Sequence, residues 1–259
     1  MAYGYIQDDH DKTKDPTIRA LLGARLRDAT SHTLEGLITE LWDQGPTSSC
    51  VGFAFARGIQ LRCAKLGTPI VRPSATAIYT SALAIERKMY GKPADHLQDR
   101  GSQPYLAVQG MAEWGIPADS QWPVGGFDPD KVVEEPTLDM LQNASLFELQ
   151  QYYRIDTEGS TRLDDIRRAI SEGYPVVIGA QVDKAFEQYN GKGALTAADP
   201  NELVGGHMTC LVGWTEDGLF RWVNSWGNGW GDGGMFTTDE AYLTAATVND
   251  IYALQVAAR

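Results

Sequence analysis

The chain has 259 residues, 43% hydrophobic and 22% charged, with 22 basic against 34 acidic side chains and a net charge of −12. Its length suffices for one large domain or two small lobes around a shared cleft, and its composition is that of a soluble globular protein. The acid excess argues against a phosphate-backbone binder, and no run reaches the roughly 18 apolar residues of a membrane span, so neither nucleic acid nor a membrane is an expected partner.

The N-terminus, "MAYGYIQDDHDKTKDP", lacks a basic start followed by an apolar core. No signal peptide is expected, and synthesis in the cytoplasm follows; incorporation in a virion or other large assembly stays open. Residues 1–35 are mixed and polar, with one short helical candidate, Pro16–Arg27. Next comes "WDQGPTSSCVGFAFA", Trp42–Ala56. From Ser49 to Leu66, Gly52, Ala56, Ile59, Cys63 and Leu66 recur at helical spacing, with Thr47, Ser48 and Ser49 as N-cap candidates and Gly67 as a stop. Further helices are expected at Ser74–Tyr90 and Pro104–Trp114.

Gly115–Pro136 is rich in Gly, Pro and Asp and reads as a linker. Beyond it, Leu163–Glu172 reads as a helix and "PVVIGAQV" as a buried strand. "HMTCLVGW" and "GLFRWVNSW" read as two strands joined by the turn Thr215–Gly218. The first half is thus mainly helical and the second mainly strand, an α+β chain with a cleft between unlike lobes. The expected organisation is an N-terminal extension over 1–33 packing on the rest, a helical lobe over 34–140 and a β-rich lobe over 141–259.

Three cysteines, Cys50, Cys63 and Cys210, are widely spaced with no CxxC pair, so neither a structural zinc site nor a disulfide framework is expected. His10, His32 and His96 are scattered in polar stretches, and no metal is expected. Gly227, Gly229 and Gly231 begin a nucleotide-binding pattern, but Asp232 stands where the third glycine belongs.

Four residues carry chemistry. Cys50 opens a helix, where free N–H groups and the dipole would lower a thiol pKa. His207 follows Gly205 and Gly206, which leave room for close approach by another chain. Asn224, on the next strand, can fix the imidazole's tautomer, with Trp226 shielding that bond. Gln44 can donate to an oxyanion, with the Cys50 N–H as second donor. Alone, each has a plain structural alternative: a packed thiol, a hydrogen-bonded strand histidine, a turn asparagine, a loop glutamine.

Together, "DQG" at Asp43–Gly45, "SC" at Ser49–Cys50, "GGH" at Gly205–His207 and "NSWGNGWGDGG" at Asn224–Gly234 resemble the papain-like cysteine peptidases. "RPSATAIY", Arg72–Tyr79, and "GIPADSQWP", Gly115–Pro123, are similar to bacterial-type members without disulfides. The resemblance implies a helical left lobe and a β-barrel-like right lobe, catalytic Cys50, His207 and Asn224, and Gln44 in the oxyanion hole. It also implies a peptide or protein substrate and no cofactor.

Several positions depart from the family pattern. Thr47 stands where the signature's first cysteine falls, and Val51 replaces an aromatic residue. No clear peptide-binding Gly-Gly pair exists; Gly101 in "DRGSQ" is the stand-in, and Gly206 is the second substrate-binding candidate. His207 lies slightly beyond the roughly 130–150 residues expected after the cysteine, consistent with an insertion within Asn190–Glu202. There is no room for a long inhibitory propeptide before Cys50, so a narrow cleft or a binding partner would have to restrain activity; a long insertion or the extra N-terminal residues lying across the cleft would block peptides and abolish activity. Two other readings stay open: a cell-wall amidase or transpeptidase on the same scaffold, and a structural component of a viral particle or other assembly whose partner protein holds the termini.

Overall fold

The computed structural model describes residues 2–23, 31–68, 71–91, 98–122 and 147–258. Helix α1 is Ile18–Leu22, capped by the Thr17 hydroxyl, which accepts from the Ala20 N–H at 3.2 Å. It is shorter than the expected Pro16–Arg27 because Gly23 ends it at φ 72°; residues 24–30 lie outside the described residues. Helix α2 is Cys50–Lys65, with Ser49 at its N-cap. The stripe of small and apolar residues suggests one buried face, yet nearly the whole helix is buried. It runs through the middle of the fold, with helix α3 (Ala75–Tyr90) on one side and the sheet on the other.

The Ser74 hydroxyl caps α3, accepting from the Ala77 N–H at 3.0 Å, and Gly91 stops it in the left-handed conformation. Helix α4, Pro104–Trp114, starts with proline in its first turn and packs on α3. Helix α5 is Gly159–Ser171, four residues longer at its start than the expected Leu163. The helices α6 (Lys184–Glu187) and α7 (Glu240–Thr244) are single turns capped by Asp183 and Asp239.

The strands are β1 (His32–Thr33), β2 (Phe147–Arg154), β3 (Val176–Asp183), β4 (Leu203–Trp214), β5 (Phe220–Val223), β6 (Met235–Thr238) and β7 (Val248–Ala258). They form one antiparallel sheet in the order β2-β7-β3-β4-β5-β6, with β1 pairing on β4. The sheet is open, where the resemblance implies a barrel-like lobe. The expected β4–β5 hairpin is present, its turn closed by Thr215 N–H to the Leu219 carbonyl at 2.9 Å, with Gly218 at φ 82°. The segment 190–202 carries no helix or strand, in keeping with an inserted loop. Of the expected linker only the part up to Trp122 falls within the described residues, and His96 and the acidic run Val132–Glu135 fall outside them.

The registers of β3 position the site. Val182 faces Gly205, Gln181 faces Gly206 and Ala180 faces His207 on β4, while Gly179 faces Asp250 on β7. Cys63 and Cys210 are free and buried in the core, as expected of structural thiols.

Candidate active site

A tight loop presents Gln44. The Asp43 carboxylate accepts from the Gly45 N–H at 2.8 Å, Gly45 takes φ 59°, and the Thr47 hydroxyl donates to the Gln44 carbonyl at 2.7 Å. Gln44 is then held at both ends of its amide. Oε1 accepts from the Ser225 hydroxyl at 2.6 Å, and Nε2 donates to the Thr47 carbonyl at 2.8 Å. The Gln44 N–H reaches the Ser225 carbonyl at 2.8 Å, and Asp43 bridges to Trp226. The loop before Cys50 is thereby stitched to the loop bearing Asn224.

His207 Nε2 and Asn224 Oδ1 lie 2.8 Å apart. As Asn224 Oδ1 can only accept, Nε2 carries the proton and Nδ1 is the free nitrogen. Nδ1 is buried without a hydrogen-bond partner. The Trp226 ring lies 4.6 Å from the imidazole, and Phe186 meets the same imidazole edge-on, so the His–Asn bond is walled by aromatics. Cys50 opens α2, which packs against β4, the strand that carries His207. The four sequence-derived residues Cys50, His207, Asn224 and Gln44 therefore converge.

The sequence gives no direct sign of what fills the cleft. Residues 2–8 run through it as an extended strap. The Gly206 carbonyl accepts from both the Gly4 and Tyr5 N–H groups, at 3.1 and 3.0 Å. On the other wall the Ser102 N–H donates to the Gly4 carbonyl at 2.8 Å, and the Ile6 N–H donates to the Ser102 carbonyl at 3.1 Å. Gln44 Nε2 also points at the Ala2 carbonyl, at 3.4 Å. The Tyr3 ring lies edge-on to His207 and Trp226, its hydroxyl donating to Glu187 at 2.9 Å. Cys50 has 0% and His207 2% of its surface exposed. A segment far shorter than a long propeptide thus covers the thiol, and residues 2–8 are held in the chain's own cleft.

Glycines make that fit. A side chain on Gly4 would collide with the Ser48 backbone, reaching within 2.8 Å of its Cα, and one on Gly101, already at φ 90°, would press on Gly4. Gly205 and Gly206 give way to Tyr3 and Tyr5. The Gly101 wall is in turn fixed by Tyr79, whose hydroxyl accepts from the Gly101 N–H at 2.9 Å and donates to Asp99 at 2.9 Å; Asp99 accepts from the Ser48 N–H. Beyond Tyr5 the strap ends in a buried charged cluster of Asp8, Asp250, Arg154 and Tyr252 that sequence reading missed. An aspartate inside the apolar run "VNDIYALQV" was the available signal.

Covering the site changes its electrostatics. Burial pushes the Cys50 thiol up to about 12, against backbone hydrogen bonds from Met208, Gly4, Val51 and Cys50 itself. Burial likewise pushes His207 down to about 4, against the bond to Asn224. The helix start was expected to lower the thiol pKa; with the strap in place desolvation outweighs it, and the pair rests as neutral thiol and neutral imidazole. Among the described residues no group of three metal-ligating side chains occurs.

The family model for papain family cysteine proteases matches residues 86–251, a span that includes His207 and Asn224 and begins after Gln44 and Cys50. The chain belongs to that family. It is 28% identical over 220 residues to an uncharacterised peptidase C1-like protein of Acanthamoeba polyphaga mimivirus, covering 82% of this chain and 67% of the relative. Xylellain, a cysteine protease from Xylella fastidiosa, superposes with TM-score 0.81 at 25% identity over 98% of this chain and 96% of its own. A procathepsin B of Trypanosoma congolense shares the fold, with TM-score 0.73 at 19% identity over 99% of this chain and 87% of its own.

Proposed function

We propose that this protein is a cysteine peptidase that hydrolyses peptide bonds through Cys50, His207 and Asn224, and that its own N-terminal strap holds it latent. One observation carries the reading: Asn224 fixes the imidazole of His207 with Nδ1 unpartnered, beside a cysteine at the head of α2. Once the strap leaves, water reaches the thiol and the desolvation cost falls. The dipole of α2 and the imidazole then favour the thiolate–imidazolium pair. The thiolate attacks the substrate carbonyl, and Gln44 Nε2 with the Cys50 N–H stabilises the oxyanion. His207 protonates the leaving amine; water, activated by the same imidazole, then hydrolyses the thioester. Asn224 keeps the ring in the orientation both steps need, and Trp226 keeps water from its bond.

The test is turnover of fluorogenic peptides by the full chain carrying Gly4→Ala, with Cys50→Ala and His207→Ala in the same background. Hydrolysis that disappears in both supports the reading. A covered cleft also suits a structural homologue without activity. No turnover by Gly4→Ala, although its Cys50 has become reactive to small alkylating agents, would favour that second reading.

A further inference from the structure

We propose that a small cavity behind Asn224, between α2 and the end of β5, binds one small monovalent anion, a halide such as chloride. The cavity is lined by one turn of α2, the middle of β4, Val223 to Ser225 and Trp42. Its test reads binding rather than turnover, so it stands apart from the peptidase reading.

The sequence sets an arginine in the apolar run "CVGFAFARGIQL". On α2, Arg57 falls one turn after Phe53, and both line the cavity. Arg57 is only 3% exposed, yet its two hydrogen bonds go to neutral oxygens: Nη1 donates to Gln60 Oε1 at 2.6 Å and Nη2 to the Glu40 carbonyl at 2.8 Å. The guanidinium stacks on Trp42, its Cζ 3.6 Å from the ring centroid. Among the described residues no carboxylate reaches ion-pair distance of it. The Glu40 carboxylate acts from further off, half exposed and facing Arg72 at 4.0 Å. Burial pushes the Arg57 guanidinium down to about 10, so it stays charged at neutral pH. Cys210 also lines the cavity and supplies no counter-charge: burial pushes its thiol up to about 12, against the pull of Arg57. A buried cation left unmatched in this way is costly.

Two further donors meet there. Asn224 Oδ1 accepts from His207 Nε2 at 2.8 Å and from the Ser225 N–H at 2.7 Å, which turns Nδ2 away from both. That Nδ2 is buried without a partner, and so is Trp42 Nε1. Both residues line the cavity and are more than nine-tenths buried. The cavity has room for a single small occupant. A water would accept from the two N–H groups, but it needs acceptors for its own hydrogens and leaves the guanidinium unmatched. An anion accepts from both and balances Arg57. One positive charge and so little space exclude a sulfate or a phosphate. A halide fits both limits, and it sits directly behind the amide that orients His207.

Bromide is the probe, because it scatters anomalously and matches chloride in charge. Crystals of the full chain grown in sodium bromide should show one anomalous peak between Arg57, Trp42 and Asn224. In solution, replacing sodium isethionate by sodium bromide at constant ionic strength should raise Tm by about 3 °C or more once bromide passes about ten times its dissociation constant. Trp42→Phe keeps an aromatic ring on Arg57 and removes one N–H, so bromide affinity should fall about tenfold or more, the range of a hydrogen bond to a charged acceptor. Arg57→Met should lose both the peak and the Tm response. A water in the cavity with no anomalous peak, together with equal Tm in the two salts, overturns the proposal. A peak and a Tm response that are both unchanged in Trp42→Phe mark an adventitious ion only and overturn it too.

Discussion

Gly4→Ala is the smallest change that should open the cleft. The new Cβ would fall inside the contact distance of the Ser48 backbone, and that backbone is held by two bonds from its N–H to Asp99, at 2.9 and 3.0 Å. The wall cannot retreat without losing them, so the strap must lift. Three strap hydrogen bonds lie within one residue of Gly4: its N–H and that of Tyr5 to Gly206, and its carbonyl to Ser102. At about 1 kcal/mol net for each, their loss weakens docking by about 2–4 kcal/mol, an increase of roughly thirty- to a thousandfold in the open fraction. The assay is the second-order rate of Cys50 carboxymethylation, read by mass spectrometry, with buried Cys63 and Cys210 as internal references. A Gly4→Ala chain with unchanged far-ultraviolet dichroism and an unchanged Cys50 rate would refute the claim that the strap governs access.

Three further outcomes follow from the same geometry. In the Gly4→Ala background, Gln44→Ala should lower kcat by about a hundred- to a thousandfold with a much smaller change in KM, the loss of one oxyanion donor. Arg154→Met should lower stability by about 3–5 kcal/mol and Tm by roughly 10 °C, measured by calorimetry, because Asp8 and Asp250 lose the base they share. Strap docking should also weaken as pH rises. Burial, then the charge of Asp250, pushes the Asp8 carboxyl up to about 6, against hydrogen bonds from Tyr252 and the Tyr105 N–H and the charge of Arg154. A docked pKa raised above the free value gives a contribution that is full below about pH 4 and is lost as pH rises through about 6. Asp250 is buried too, but hydrogen bonds from Lys12, Tyr5 and the Asp8 N–H hold its pKa down, so its contribution is lost only at still lower pH. The ratio of Cys50 labelling in the parent to that in Gly4→Ala cancels the thiol's own titration. It should climb from pH 4 to 6 and be flat in Asp8→Asn.

The helices and the catalytic candidates were legible because each is written locally. Ser74 before an apolar run, Pro104 at a first turn and Asp-Gly at a hairpin mark their elements within a few residues. Cys50, His207 and Asn224 stand out because each sits in a short local motif, "SC", "GGH" and "NSWGNGWGDGG", that resembles the family's. The strap was not legible in that way. "AYGYIQDD" is an ordinary polar segment until Gly4 meets Ser48 and Tyr5 meets Gly179 and Asp250, partners far along the chain. For the same reason the thiol pKa went the other way: the helix start is local, whereas the desolvation that overrides it comes from the strap. Strands β2 and β7 escaped notice because each finds its partner about a hundred residues away.

The strap is tied down just beyond its last cleft contact, where the Arg154 N–H on β2 donates to the Pro16 carbonyl at 2.8 Å. A tether of that few residues sets an effective concentration in the millimolar range, whatever the amount of protein present. Dilution therefore never opens the cleft, and a competing peptide must outbid a local concentration it rarely matches. Cutting the connector between Asp8 and Pro16 changes the arithmetic at once. The same contacts would then bind a free peptide that diffuses away, and a single nick would uncover the cleft irreversibly.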